Sequence, residues 1–240
     1  REKESEVIPS FYFEPADGGP LADFKAGQYI GITLNIDGQE VRRNYSLSNS
    51  PGESYYRLSV KRENDGQVSA FLHDSLNLGD KIKLTAPAGD FVLEQSARAL
   101  MLLTGGVGIT PAISMLKPAL QSGRPVQFFH CATNGGHHAF KQQVDDLASQ
   151  YDNLSVTYCY SAPSASDSSH LTGFIDQAMI EPLVQDPADL DFYFLGPKPF
   201  MESCHRIAKG LGIPEERVRF EFFGPLQSLD TTSVDEKLTA

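Results

Sequence analysis

The 240-residue chain contains no tryptophan, few cysteines and no apolar run long enough to span a membrane. Its three cysteines, Cys131, Cys159 and Cys204, are widely spaced and include no C-x-x-C pair. This excludes a disulfide framework and the usual zinc or iron–sulfur spacings, so we expect no metal site and buried thiols in a reducing, cytoplasmic compartment. The charged first residues, REKESEV, lack the apolar core of a signal peptide.

Basic residues are also scarce, with 20 Lys and Arg against 31 Asp and Glu, and the net charge is -11. Nucleic acids and anionic membranes are polyanions, so we expect neither as a partner. Hydrophobic residues make up 40% of the chain, which is typical of a folded soluble protein. Residue 1 is Arg and the first methionine is Met101. We therefore expect the chain to be part of a longer protein with a further segment upstream.

Short segments rich in β-branched and aromatic residues dominate the first half of the chain, separated by turn sequences such as DGG, DGQ, SPG and NDG. They are FYF (11–13), QYIGITLNI (28–36), NYSLSN (44–49), YYRLSVKRE (55–63) and KIKLTAP (81–87). Regularly spaced short strands predict a barrel or sandwich. One helical segment, from Val68 to Leu76, interrupts them.

Strand and helix patterns alternate from Ala99 onward. Predicted strands are ALMLLT (99–104), VQFFHCAT (126–133), LSVTYCYS (154–161), DFYFLGP (191–197) and VRFEFFG (218–224). Predicted helices are TPAISMLKPAL (110–120), AFKQQVDDLASQY (139–151), GFIDQAMIEPLV (173–184) and PFMESCHRIAKGLG (199–212). This alternation predicts a doubly wound parallel sheet. We place an all-β barrel domain at 1–95, an α/β domain at 96–226 and a tail at 227–240.

The strand-to-helix turn TGGVGITP (104–111) is glycine-rich. Glycines allow close approach of a ligand, Thr110 is placed to cap the helix, and Pro111 suits its first position. The loop is neither a Walker loop nor G-x-G-x-x-G, and a tight structural turn is the alternative. We favour dinucleotide binding because the first such turn of a doubly wound sheet is the usual site. A second turn, GPKPFM (196–201), would lie on the same edge of the sheet.

The segment RRNYSLSN (42–49) aligns a cation, a phenol and hydroxyls on one strand. The period of two puts Arg43, Tyr45 and Leu47 on one face, although a solvated strand would give the same pattern. GQVSAFLH (66–73) offers a second helix start to an anion. In EFFG (221–224), one phenylalanine can pack on the core and leave the other free to cover a ring. Together these features favour a second dinucleotide that carries a large flat ring.

These motifs together resemble the ferredoxin–NADP+ reductase family, an FAD-binding Greek-key barrel followed by a nicotinamide-binding sheet. The family's R-x-Y-S motif matches Arg43, Tyr45 and Ser46, its G-x-V-S element matches Gly66, Val68 and Ser69, and its glycine-rich loop matches 105–111. The order and spacing match over nearly the whole chain. Within that family the chain looks most like the reductase half of flavohaemoglobins, the nitric oxide dioxygenases. FKAGQYIGI (24–32), SVKRENDGQVS (59–69), HCATNGGHHAF (130–140) and FEFFGP (220–225) carry this likeness.

The resemblance implies roles for individual residues. FAD would be held by Tyr29, Arg43, Asn44, Tyr45, Ser46, Gly66, Val68, Ser69, Phe222, Phe223, Gly224 and Pro225. The pyridine nucleotide would be held by Gly105, Gly106, Val107, Gly108, Ile109, Thr110, Gly196 and Pro197. Ser46, Tyr29 and Glu221 would act beside the reacting ring. The chain departs from the family at Leu195, where a cysteine is common, and at Ala70, where a polar residue is common.

The resemblance also implies a function: NADH reduces FAD, which passes single electrons to an acceptor, the haem b of a globin domain upstream. NADH rather than NADPH is predicted because CYSAPSAS (159–166) offers no basic residue to a 2′-phosphate. No haem site is visible among the six histidines, and the pair His137-His138 is expected to be solvated surface. One alternative is a reductase for an iron–sulfur or oxygenase partner. Another is a flavin-binding module without turnover.

Overall fold

Two three-stranded antiparallel sheets form the first half of the chain in the computed structural model, which describes residues 1–167 and 171–223. The first sheet has the order β1-β2-β5 and the second β4-β3-β6. The strands are β1 (Glu2–Lys3), β2 (Pro9–Phe13), β3 (Tyr29–Ile36), β4 (Gln39–Ser46), β5 (Tyr56–Ser59) and β6 (Lys83–Leu84). An isolated bridge between Leu47 and Leu58 joins the two sheets.

A two-residue turn fixes the register of the long β3–β4 hairpin. Asp37 and Gly38 both have positive φ, 53° and 80°, as a type I′ turn requires. The alternating residues Ile30, Ile32 and Leu34 then face a core that also holds Leu47 and Leu58. Helix α1 (Gln67–Asp74) closes this core with Val68 and Leu72, close to the predicted helix.

The second half forms a six-stranded, all-parallel sheet in the order β10-β9-β8-β7-β11-β12. Its strands are β7 (Ala99–Gly105), β8 (Val126–Ala132), β9 (Leu154–Tyr160), β10 (Leu171–Thr172), β11 (Leu190–Leu195) and β12 (Val218–Phe220). Its helices are α2 (Ile109–Gln121), α3 (Lys141–Gln150), α4 (Gln177–Ile180) and α5 (Lys198–Gly210). Separate cores lie on its two faces, so successive residues such as Leu102 and Leu103 are both buried. The predicted fold class is therefore confirmed.

Several predicted elements differ from the structure, and the strands predicted over 55–63 and 81–87 shorten to β5 and β6. The helix predicted over 173–184 shrinks to α4 and a 3₁₀ turn, Glu181–Leu183. Asp176 is the N-cap of α4, since its carboxylate accepts from the Met179 N–H, and Pro182 prevents the helix from continuing. The strand predicted over 218–224 ends at Phe220. Helix α2 begins at Ile109 after a 3₁₀ turn, Gly106–Gly108, so Thr110 lies inside the first turn and does not cap it.

The predicted tail and the predicted domain boundaries are not tested by the structure. The proposed tail, 227–240, lies outside the described residues. The domain boundaries 1–95 and 96–226 stay predictions. Over the ranges 1–167 and 171–223, no helix combines the length and the apolarity needed to cross a membrane.

Candidate functional site

A cavity of about 880 Å³ opens between the barrel and the carboxyl edge of the parallel sheet. Its size lies within the roughly 300–1,000 Å³ of small-molecule sites. Both halves of the chain line it: Tyr29, Arg42, Arg43, Asn44, Tyr45, Ser46, Ser59, Val60, Lys61 and Glu63 from the barrel, Val107 and Thr110 from the glycine-rich turn, and Glu221, Phe222 and Phe223 after β12.

Strand β4 contributes five consecutive residues, 42–46, to the cavity wall. The period of two predicted only one face, but β4 is the edge strand of its sheet, so its open edge also borders the cavity. Leu47, predicted on the same face as Arg43 and Tyr45, is instead fully buried in the barrel core. The structure thus brings the R-x-Y-S motif to the cavity without its apolar neighbour.

The Arg43 guanidinium and the Tyr45 phenol both line this wall of the cavity. Arg43 is exposed and its Nη1 donates to the Arg42 carbonyl at 2.7 Å, and no ion pair joins it to any described residue. Its guanidinium therefore remains available to an anion. Burial raises the pKa of Tyr45 to about 12, with Arg43 opposing and Glu63 adding to the shift. The Tyr45 phenol therefore stays protonated and can donate a hydrogen bond.

Ser46 and Tyr29 face each other across β3 and β4 as register partners. Ser46 is only 6% exposed, and its Oγ makes no hydrogen bond with the described residues, although it borders the cavity. Because this hydroxyl borders the cavity and has no partner among the described residues, it is available to a ligand. The Tyr29 ring packs on Gly89, where a Cβ would come within 2.9 Å of it. Tyr29 is thus held in place beside Ser46.

The segment after β12 supplies an acid and two aromatic rings. Phe222 packs against the core of the parallel sheet, while Phe223 is 45% exposed beside the cavity. This matches the expectation that one ring packs on the core and the other stays free. Burial, and to a lesser degree Asp90, raises the pKa of Glu221 to about 7. The predicted residues Gly224 and Pro225 lie outside the described part of the chain.

The two glycine turns meet at the carboxyl edge because β7 and β11 are parallel neighbours in register. A Cβ on Gly108 would lie 2.3 Å from the Leu195 carbonyl oxygen, and one on Gly196 would lie 3.1 Å from the Gly105 Cα. Gly106 has φ of +53° and open space around its missing Cβ. Gly108 and Gly196 pack tightly on neighbouring backbone, while the space beside Gly106 is open, so the two turns together form a cradle that a ligand can approach closely.

Within this turn the predicted residues serve in different ways. Val107 and Thr110 line the cavity, and the Thr110 hydroxyl donates to the Val107 carbonyl at 3.2 Å. The Ile109 side chain is fully buried, so only its backbone can face a ligand. Pro197 precedes α5 as its N-cap, beside the cradle and outside the cavity wall. The Ile109 N–H at the start of α2 donates back to the Gly106 carbonyl, so an anion here would meet the N–H groups of the preceding 3₁₀ turn, Gly106–Gly108.

The G-x-V-S element lies beside the cavity without lining it. The Ser69 Oγ accepts from the Glu63 N–H at 3.1 Å and donates to the Gly66 carbonyl at 3.0 Å, and Val68 is in the barrel core. Their side chains therefore brace the loop that presents Glu63 to the cavity. Only backbone N–H groups of the first turn of α1 remain to hold an anion.

Sequence reasoning missed five wall residues: Arg42, Ser59, Val60, Lys61 and Glu63. The run SVKRE (59–63) was the available sign, since it begins at the last residue of β5, and β5 is bridged through Leu58 to Leu47, the residue after β4. The expectation for His138 was wrong, because it is buried, with its ring facing His130 and its Nδ1 2.7 Å from the Tyr160 hydroxyl. Among the described residues, no group of three or more His, Cys, Asp and Glu side chains is arranged to hold a metal ion.

Comparison with known families matches both halves of the chain. The oxidoreductase FAD-binding domain family matches residues 4–93, and the oxidoreductase NAD-binding domain family matches residues 102–206. The residues at the cavity fit such groups: the Ser46 hydroxyl and the Arg43 guanidinium, which have no side-chain partner among residues 1–167 and 171–223, an exposed ring, and a glycine cradle at a helix start.

Individual relatives agree with this match. The chain is 49% identical over 230 residues to a flavohemoprotein of Pseudomonas aeruginosa, covering 96% of this chain and 58% of the relative. It is 48% identical over 229 residues to a flavohemoprotein of a Burkholderia species, again covering 58% of that protein. The chain thus spans less than two thirds of these relatives.

A solved structure of similar length also matches: the flavohem-like FAD/NAD-binding domain of a nitric oxide dioxygenase from Vibrio cholerae. It superposes with a TM-score of 0.85 and 35% identity, over 93% of this chain and 95% of that one.

Proposed function

The chain belongs to the family of FAD- and NAD-binding reductase domains found in flavohemoproteins, and from this we propose that it passes electrons from NADH through FAD to a one-electron acceptor. The observation that carries the proposal is the shared cavity. The R-x-Y-S strand and the glycine-rich turn come from opposite halves of the chain, yet they line one space together with Phe223. A flavin site and a nicotinamide site that share a wall are what direct hydride transfer requires.

Bound FAD supplies the link between two-electron hydride chemistry and single-electron transfer, and the chain supplies position and electrostatics. Arg43 would neutralise the pyrophosphate, and the Ser46 hydroxyl would donate or accept one hydrogen bond at the ring edge. Phe223 would cover the ring and exclude water. Glu221, with a pKa near 7, holds or releases a proton beside the cavity at working pH.

The preference for NADH over NADPH has support beyond the missing basic residues. Asp167 lies in the loop after β9, where its carboxylate accepts from the Gly135 N–H and the Ser164 N–H, each at 3.0 Å. This buried carboxylate places negative charge at the carboxyl edge of β8 and β9. A 2′-phosphate brought there would be repelled and would find no arginine or lysine among residues 161–167.

The physiological acceptor we propose is the haem b of a globin domain in the same polypeptide. The relatives named flavohemoprotein are longer than this chain, which spans 58% of them. Nitric oxide dioxygenase activity would then require that globin and would be absent from this chain alone. We also propose a cytoplasmic location.

The test is an anaerobic titration of the FAD-loaded chain with NADH, following the flavin absorbance, with NADPH in parallel. We expect rapid bleaching by NADH and slow bleaching by NADPH. Flavin that stays oxidised under NADH would contradict the reductase and favour a non-catalytic flavin module. Equal efficiency with both nucleotides would contradict the NADH preference alone.

Two acceptor classes can then be separated with the reduced chain. A globin haem supplied in trans, or fused upstream, should be reduced faster than a [2Fe–2S] protein at equal concentration. The reverse order would favour the reductase of an iron–sulfur or oxygenase partner.

A further inference from the structure

A buried arginine outside the cavity links the two halves of the chain. Arg57 lies in β5 and is 9% exposed. Its Nε donates to the Ser48 Oγ at 3.2 Å, and its Nη2 donates to the Ser48 carbonyl. Ser48 follows Ser46, the last residue of β4, by two positions, so Arg57 holds the chain just after this strand, which lines the cavity and is called the flavin-wall strand below.

The same guanidinium reaches the parallel-sheet half. Its Nη1 and Nη2 both donate to the Gln143 Oε1 at 3.3 Å, and its centre lies 4.8 Å from the centroid of the Phe140 ring. The Glu4 carboxylate lies 4.0 Å from Nη1. A planar, permanently charged group is thus shared between the barrel and the start of α3.

Phe140 has an uncommon conformation. It is 3% exposed and has φ of +61°, in the left-handed region that non-glycine residues rarely occupy. Such a residue persists only where its surroundings fix it, and here the core packing and the Arg57 face do so.

The backbone before Phe140 leads to a series of side-chain contacts that ends at the nucleotide turn. Two residues before it, the ring of His138 lies 4.4 Å from that of His130. The His130 Nδ1 is 2.7 Å from the Thr104 Oγ1, and Thr104 directly precedes Gly105. The path therefore runs from Ser48 through Arg57 to the cradle without passing through the cavity.

We propose that Arg57 is a positioning residue that fixes the flavin-wall strand relative to the nucleotide turn. The proposal rests on the proposed reductase function. Hydride transfer is sensitive to shifts of about 1 Å, which can cost about 100-fold in rate. Arg57 touches neither cofactor site, so its loss should change the alignment of two bound cofactors more than the affinity for either one.

The test compares the parent chain with Arg57→Met, Arg57→Lys and Phe140→Leu, with Arg98→Met as the matched control. Arg98 also pairs with a carboxylate distant in sequence, Asp189 at 3.4 Å, and no hydrogen bond or ion pair among the described residues joins it to Phe140 or Ser48. Kd values for FAD and NAD+ are measured by fluorescence and calorimetry, and the single-turnover rate of flavin bleaching is measured at saturating NADH. Hydrogen–deuterium exchange of the cofactor-free proteins is followed at 104–108 and 140–144.

For Arg57→Met we expect the bleaching rate to fall about 10–100-fold while both Kd values stay within about threefold. Arg57→Lys keeps the charge but not the planar guanidinium, so its bleaching rate should lie between those of the parent and Arg57→Met. The double variant Arg57→Met/Phe140→Leu should bleach about as slowly as Arg57→Met alone, because the Phe140 face is one of the Arg57 contacts and is already lost in Arg57→Met. Exchange at both peptide regions should rise in Arg57→Met and stay unchanged in Arg98→Met.

Three outcomes would overturn the proposal: an unchanged bleaching rate, a rate that falls only in step with weaker FAD or NAD+ binding, or unchanged exchange at 104–108. If Arg57→Met fails to fold, Arg57→Lys and Phe140→Leu carry the same comparison. A parent chain that NADH does not bleach would refute the proposed function, and the exchange measurement would still decide whether Arg57 couples the two halves.

Discussion

Replacing Gly108 by alanine tests whether the two glycine turns must touch. Gly108 has φ of -61° and ψ of -7°, a conformation that alanine adopts freely. The backbone alone would therefore favour alanine by about 0.4–1 kcal/mol. Any loss of stability must come from the new methyl group and its neighbours.

The neighbours leave no room for that methyl group. It would lie 2.3 Å from the Leu195 carbonyl oxygen and 2.8 Å from the Gly196 nitrogen, where ordinary contacts begin at 3.4 Å. The turn after β11 would have to move by about 1 Å, and it is backbone, which gives way poorly. Overpacking of this kind costs about 1–3 kcal/mol. We expect Gly108→Ala to lose that much stability and to lose NAD+ binding, because the cradle opens.

Gly106→Ala is the matched comparison in the same turn. Gly106 has open space around its Cβ but φ of +53°, so alanine there costs about 1–2 kcal/mol through conformation without moving β11. Urea unfolding gives both stabilities, and calorimetry gives the Kd for NAD+ and for FAD. FAD binding should survive in Gly108→Ala. A Gly108→Ala protein as stable as the parent, with NAD+ affinity intact, would refute the argument.

Three further predictions concern the cavity wall. Arg43→Ala should weaken FAD binding by about 1.5–3 kcal/mol, the value of a hydrogen bond to a charged group, while Arg62→Ala, which removes only a surface ion pair, should not. An unchanged FAD Kd in Arg43→Ala would contradict the assignment. Ser46→Ala should weaken FAD binding by about 0.5–1.5 kcal/mol and leave urea stability unchanged, because its Oγ has no partner among the described residues; a large stability loss would show a structural role instead. Glu221 has its folded-state pKa raised from 4.5 to about 7, so the fold favours the protonated acid and loses stability as pH rises from about 4.5 through 7. Glu221→Gln should remove that loss, measured as the difference in urea stability between pH 5 and pH 8, and an equal difference in both proteins would count against it.

Local patterns predicted the fold well where one face or one turn decides the structure. The Asp37-Gly38 turn and the alternation of Ile30, Ile32 and Leu34 define their hairpin without outside help. The helix over 173–184 was wrong because an apolar period says nothing about length when Asp176 and Pro182 confine it to one turn. Strand β12 ends at Phe220 because it pairs with β11 only from Phe192 to Phe194.

The site was predicted in part, because motifs identify residues but not the neighbours that a fold brings to them. Arg43, Tyr45 and Ser46 carry the motif, and their wall position follows from the strand. Lys61 and Glu63 line the same cavity because the Leu47–Leu58 bridge brings the end of β4 and β5 together, and the chain that follows β5 continues along the cavity. No local pattern contains that adjacency.

His138 shows the limit most clearly. Two adjacent histidines between glycines and a helix have the composition of a solvated loop. His137 is half-buried and keeps part of its surface exposed, whereas His138 does not. His138 is buried because the parallel strands put His130 and Tyr160 beneath it. The burial of the His138 imidazole depends on the order of the strands, because β8 and β9 bring together His130 and Tyr160, which are about 30 positions apart along the chain. The proposed coupling between the two halves therefore depends on contacts that exist only in the assembled fold, and the exchange and bleaching measurements on Arg57→Met test it directly.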